Sequence, residues 1–156
     1  MKTLVAYYSR TGTTRKVAQD LARELGCDVE EIVDRKNRSG PIGYLMGGRD
    51  AMTKRLTDIT EPAHDCGAYD LVVVCSPNWG ANMTPAVRTY ITKYRASIKD
   101  VAFLCTQGGR GGERVLKGMA ELSGKSPRAK IILSTAEVMN GSHLARLKEF
   151  SKALSG

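Results

Sequence analysis

No apolar run in this sequence approaches the roughly 18 to 20 residues that cross a bilayer. The longest, such as Leu71–Cys75 and Val101–Cys105, have five residues, so no membrane span is expected. A secretory signal is missing too: Met1 leads directly into a strand-like segment, with neither a longer apolar stretch nor a small-residue cleavage site. A cytoplasmic location is the expectation. Cysteine is sparse, with residues at 27, 66, 75 and 105 and no C-x-x-C pair. Cys75 and Cys105 lie inside apolar runs as small core residues do, so all four read as reduced thiols. The two histidines, His64 and His143, complete no zinc-ligand pattern with them and read as surface residues.

Several catalytic signatures are absent as well. There is no G-x-x-x-x-G-K-[ST], and no G-x-G-x-x-G follows the first strand-like run. A response regulator needs acidic residues where Ser9 and Arg10 stand and an acceptor Asp where Ser76 and Pro77 stand. A small phosphatase needs Cys, five residues, then Arg, but counting from Cys105 places Gly111 there, and Arg110 falls one residue short. No Ser, His and Asp grouping suggests hydrolysis.

What is present is 156 residues with 42% apolar content, the size of one domain over residues 1–156 with one core. The formal net charge is +8, from 24 Lys and Arg against 16 Asp and Glu, and is compatible with an acidic protein partner, nucleic acid or plain solubility. Arg15, Lys16 and Arg23 fall on the outward stripe of one helix and read as solvated. Arg35, Lys36 and Arg38 fall in a loop with no aromatic residues interleaved, which disfavours nucleic acid.

Along the chain, Thr3–Tyr8 is an uninterrupted apolar and β-branched run, the pattern of a strand covered on both faces. From Thr14, the positions Val17, Ala18, Leu21, Ala22 and Leu25 form a helical stripe, with Asp20 on the polar side and Gly26 closing it. Further strands are predicted at 28–33, 69–75, 101–105 and 130–135. Helices follow the last three, with Thr84 and Pro85 as cap and first turn of one, and Ser142 as cap of another. The stretch 34–68 is irregular and glycine-rich, with one helix expected near 44–56. Buried strands alternating with amphipathic helices imply an α/β fold: a three-layer, doubly wound, five-stranded parallel sheet.

In such sheets ligands bind beyond the carboxyl ends of the strands, where the strand order reverses. After the first strand come Ser9, Arg10, Thr11, Gly12, Thr13 and Thr14, four hydroxyls and a glycine entering a helix. Free N–H groups and the positive helix end there suit a phosphate; the alternative is that Thr11 or Thr13 merely caps the helix. After the third strand, Ser76, Pro77, Asn78, Trp79 and Gly80 place the chain's one Trp on a polar loop, either to stack on a planar ligand or to cover the core. After the fourth, Thr106, Gln107, Gly108 and Gly109 begin a loop with four glycines in seven residues.

The S-x-T-G-x-T of Ser9–Thr14, with YDLVVVCSPNWG and MTPAVRTYI, resembles the flavodoxin family over essentially the whole chain. Flavodoxins themselves illustrate the switch-point rule, with strand order 2-1-3-4-5. The resemblance implies FMN, its phosphate held by Ser9, Thr11, Gly12, Thr13 and Thr14, with the 77–80 and 106–109 segments around its ring. Familiar carriers of that family are acidic, whereas this chain is basic and has Arg10 and Arg110 in the candidate loops. A cation beside the ring favours its reduced anionic state and raises the potential of the second electron step. Two uses of the flavin stay open: a carrier between redox partner proteins, acidic ones included, and an NAD(P)H-dependent reductase of quinones. A flavin-free binding protein is the third and weakest alternative.

Overall fold

The computed structural model describes all 156 residues. In chain order they form β1 (Thr3–Tyr7), α1 (Thr13–Leu25), β2 (Asp28–Glu31), α2 (Gly40–Met52), β3 (Leu71–Pro77), α3 (Pro85–Tyr94), β4 (Val101–Gln107), α4 (Gly112–Ser123), β5 (Lys130–Ser134), α5 (Thr135–Asn140) and α6 (His143–Ser155). All strand pairings are parallel, in the order β2-β1-β3-β4-β5. This is the expected doubly wound sheet. No helix is long and apolar enough to cross a membrane.

The period of two in a strand divides the core into two layers. Leu4, Ala6, Val72, Val74, Phe103 and Cys105 pack against Val87, Tyr90 and Ile91 of α3 and Val115 and Met119 of α4. Val5, Tyr7, Val73, Cys75, Leu104 and Leu133 face Val17, Ala18 and Leu21 of α1 and Leu147, Phe150 and Leu154 of α6. Because both faces are covered, the central strands carry no polar alternation. Their carboxyl ends are left at one edge, and that edge holds the site.

Three expectations are corrected. The helix expected near 44–56 is α2, four residues earlier, because Ser39 and Pro41 set its start and Thr53 its end. Asp20 is buried rather than on the solvent side, and His143 is fully buried rather than a surface residue, because they meet. The Asp20 carboxylate is 2.8 Å from Nε2 of His143 and accepts from Arg23 at 2.8 Å and Lys16 at 3.2 Å. Nδ1 of His143 is 3.3 Å from the Glu137 carbonyl at α5. Burial alone would raise the Asp20 pKa, but His143, Arg23 and Lys16 together hold it below the usual carboxylate range. Ser142 is the N-cap residue of α6, but its side chain makes no capping hydrogen bond.

The pair joins α1 to the α5–α6 corner, so it bears on stability. His143→Ala strands a buried carboxylate with one partner fewer. It lowers the unfolding free energy by about 1–3 kcal/mol, read from the midpoint of a urea titration. An unchanged midpoint would show the pair to be inert.

Candidate functional site

A cleft of about 690 Å³ lies beyond the carboxyl ends of β1, β3 and β4, within the usual range for small-molecule sites. The first loop contributes Ser9, Arg10, Thr11, Thr13 and Thr14 to its lining. Gly12 is the N-cap of α1, with φ +102°, a backbone conformation that glycine adopts at no steric cost. No side chain caps this helix and its first turn holds no acid, so neither Thr11 nor Thr13 plays the capping role. Ser9 Oγ accepts from the Gly12 N–H at 3.0 Å, while the first-turn N–H groups of α1 have no intrahelical acceptor. Thr14 is buried, its Oγ1 2.8 Å from Oγ1 of Thr106, which ties the first loop to the third.

In the second loop Pro77, Asn78, Trp79 and Gly80 line the cleft. Ser76 does not: it is fully buried behind the loop, donating to the Pro77 carbonyl at 2.8 Å and accepting from the Thr84 N–H at 3.2 Å. Trp79 combines both expected roles. It lines the cleft, and it packs on the core with its ring edge-on to Tyr8, centroids 5.6 Å apart. Asn78 donates to the Arg110 carbonyl at 2.6 Å and to Gln107 Oε1 at 3.2 Å, joining the second loop to the third.

Thr106, Gln107 and Gly108 line the cleft, whereas Gly109 and Arg110 are exposed and outside the lining. The Arg110 carbonyl accepts from Asn78, while Arg10 and Arg49 bring positive charge to the cleft wall itself. These are the two charged residues of the lining, which holds no carboxylate; Asp50 lies behind it, 3.5 Å from the Arg49 guanidinium.

The residues missed in the sequence come mostly from α2: Tyr44, Leu45, Gly48, Arg49, Met52 and Thr53, with Thr135 from the start of α5. A helix with exposed apolar residues and four glycines shows no amphipathic stripe. Its one legible signal is glycine itself. A Cβ on Gly47 would lie 2.7 Å from Cζ3 of Trp79, so only glycine lets α2 close on that ring.

A polar network holds α2 in place. Arg10 Nε donates to the Arg38 carbonyl at 2.9 Å, and the guanidinium lies 5.3 Å from the Tyr44 ring centroid. Arg38, read in the sequence as part of a loop cluster, is buried and donates to Asp34 at 3.0 Å and Asp50 at 2.6 Å; Lys36 reaches Asp50 at 3.2 Å. Burial alone would raise the Asp50 pKa, but Arg38 and Lys36 outweigh it and hold the carboxyl at about 2.

Burial pushes the Cys105 thiol up to about 12 and raises that of Cys75, so neither behaves as a nucleophile. What converges on the cleft suits a phosphorylated, flat organic molecule: an uncapped helix start, four hydroxyls, two arginines and a wall with Trp79, Pro77 and Tyr44.

A family model for flavodoxin matches residues 2–153. No curated protein matches the chain. Among solved structures, a protein of Bacteroides uniformis is similar at 22% identity, with 97% of each chain covered and a TM-score of 0.76. A flavoprotein of Lactobacillus acidophilus in complex with FMN shares 20% identity over 90% of this chain and 98% of its own, with a TM-score of 0.71. Oxidised flavodoxin 2 of Bacillus cereus shares 15% identity, covers 99% of this chain and 98% of its own, and has a TM-score of 0.65.

Proposed function

The chain belongs to the flavodoxin family, and on that premise we propose that it carries electrons between redox partner proteins with non-covalently held FMN. FMN as cofactor is supported by the family and by the FMN complex of the Lactobacillus relative. The observation that carries the reading is the uncapped start of α1 facing the cleft beneath Ser9, Thr11, Thr13 and Thr14. An N-terminal turn with no internal acceptor, no acid and four hydroxyls is a seat for a phosphate dianion. Pro77, Asn78, Trp79, Gly80, Thr106, Gln107 and Gly108 would flank the ring. Ser76 would hold the second loop from behind, and Gly109 would leave the third loop room.

Bound FMN supplies reversible electron transfer one or two electrons at a time. The chain's own part is to orient it, shield it and set its electrostatics. Arg10 and Arg49 give the cleft wall positive potential, with Asp50, 3.5 Å from the Arg49 guanidinium, behind it and no carboxylate in the lining itself. Beside Arg49, α2 presents Ile42 at 74% and Leu45 at 70% exposure, on a chain whose formal net charge is +8. Exposed apolar side chains on a positively charged protein suit a redox partner whose own docking face is acidic. Four free cysteines fit a reducing compartment such as the cytoplasm.

Two measurements test the reading. The purified protein is yellow and releases FMN on denaturation, and it does not oxidise NADPH rapidly when given a quinone alone; rapid oxidation without added reductase would replace the carrier by a reductase. In stopped flow, the photoreduced protein is reoxidised by ferricyanide faster at low than at high ionic strength. Arg49→Glu slows that reaction about threefold to tenfold at low salt, and hexaammineruthenium responds in the opposite sense. Rates for both acceptors that change with neither ionic strength nor Arg49→Glu would show that Arg49 does not steer.

A further inference from the structure

We infer that a second cavity, of about 490 Å³, binds a phosphate dianion, either free or carried by a small molecule such as a nucleotide. The cavity lies between the end of α2, the loop after β3, α3 and α4. Four cations line it, Lys54, Arg88, Arg114 and Lys117, against one acid, Glu121. Arg114, Lys117, Gly118 and Glu121 recur at helical spacing and so share one face of α4. Lys54, Arg88 and Arg114 make no ion pair, and Lys117 has only a loose contact with Glu121 at 3.9 Å.

Arg88 carries the inference furthest. Its Nε is buried and has no hydrogen-bond partner, and burial lowers its pKa with no opposing charge to restore it. A buried donor left unpaired is costly, and more so when it belongs to a cation. No hydrogen bond within the chain engages the rest of the Arg88 guanidinium, so an oxyanion in the cavity, which Arg114 also lines, would supply the counter-charge that burial leaves missing, through charge-assisted bonds to the outer nitrogens.

The backbone of the rim is also unusual. Lys54, with φ +56°, and Ala81, with φ +63°, are the two non-glycine residues of the chain in the left-handed region, and both line this cavity. Lys54 closes α2 as its C′ residue, with the Arg55 N–H donating to the Asp50 carbonyl at 2.9 Å, and Ala81 lies in the tight turn that pairs Trp79 with Asn82, so both rim segments are locally fixed. Met83 and Leu122 add an apolar wall for the organic part of a ligand. Trp79 and Gly80 line the first cleft while Ala81 and Asn82 line this one, and Met52 and Thr53 line the first while Lys54 lines this one. The two sites therefore share walls, and an anion held here sits one loop away from the flavin cleft.

The test is calorimetric titration of the FMN-loaded protein with 5′-AMP, inorganic phosphate and adenosine. AMP and phosphate bind, adenosine does not, and added salt weakens both. Tighter binding of AMP assigns a nucleotide, whereas equal binding assigns the phosphate alone. Arg88→Met and Arg114→Met each weaken the interaction at least tenfold while the visible spectrum of the same samples shows FMN retained. Arg114 is exposed, so its variant folds even if the Arg88 variant does not. Absence of binding, or wild-type affinity in the Arg114 variant, would overturn the inference. Because both variants lie outside the α1 seat, this result is distinguishable from a failure of the protein to take up FMN.

Discussion

Replacing Thr11 and Thr13 together by alanine lowers the affinity for FMN on the order of a hundredfold while riboflavin binding changes little. A hydrogen bond to a charged group contributes about 1.5–3 kcal/mol, and about 1.4 kcal/mol is a factor of ten in affinity. Two such bonds at the low end therefore account for the loss. Neither threonine caps α1, and no hydrogen bond engages either hydroxyl within the chain, so both are free to donate to a phosphate. Thr11 is exposed and Thr13 half-buried, so the empty protein loses little stability, and quenching of flavin fluorescence during titration reads binding alone. Riboflavin lacks the phosphate, so it binds the parent weakly and does not distinguish the two proteins. Parental FMN affinity in the double variant, or riboflavin bound as tightly as FMN, would sink the phosphate seat.

The second large effect is expected far from the loops. Arg38→Ala leaves the Asp34 and Asp50 carboxylates without their common guanidinium, in a place where the side chains of Arg38, Asp34 and Asp50 are 3%, 3% and 5% exposed. Removing one partner of a buried pair costs about 3–5 kcal/mol, a large share of a small domain's stability. The loss is read from denaturant midpoints. Since Arg10 is anchored on the Arg38 carbonyl and α2 follows directly, FMN affinity falls as well. The Arg38→Met variant, which restores the volume without the charge, destabilises too, since it takes the same guanidinium from both carboxylates and leaves Asp50 only its weaker contacts with Lys36 at 3.2 Å and Arg49 at 3.5 Å. If Arg38→Met were as stable as the parent, the network would be packing and not charge.

The pH dependence has a definite sign. The folded-state pKa of Asp50 is depressed to about 2, below the ordinary value near 4. Its contribution is complete above that ordinary value and is lost as the pH falls from about 4 through about 2. In the Arg38→Ala background this segment of the acid-unfolding curve flattens.

Much of the fold was legible in the sequence because its determinants are local. Leu71–Cys75 and Val101–Cys105 are apolar at every position, which only a strand covered on both faces requires. The α1 stripe of Val17, Ala18 and Leu21 follows the helical period, and Ser9–Thr14 gathers its hydroxyls within one turn. The hydroxyl-rich first loop and most of the cleft-lining residues of the second and third could therefore be named from the chain, Ser76 and Gly109 being the two named there that do not line it.

What the sequence could not show depends on residues far apart in the chain. α2 carries glycine where the neighbouring ring of Trp79 leaves no room for a Cβ, so its composition answers to a contact 32 positions away and not to its own periodicity. Arg49 enters the cleft only because that helix closes over it. Asp20 and His143 read as polar surface until the fold brings them 2.8 Å apart across 123 residues. The sequence by itself determined the strands, the helix stripe and the hydroxyl-rich loop that enters α1, since hydrophobic period and turn chemistry act over a few residues. Only the tertiary structure decided which charges are buried and which side chains complete the cleft, because burial and pairing arise from packing between distant segments.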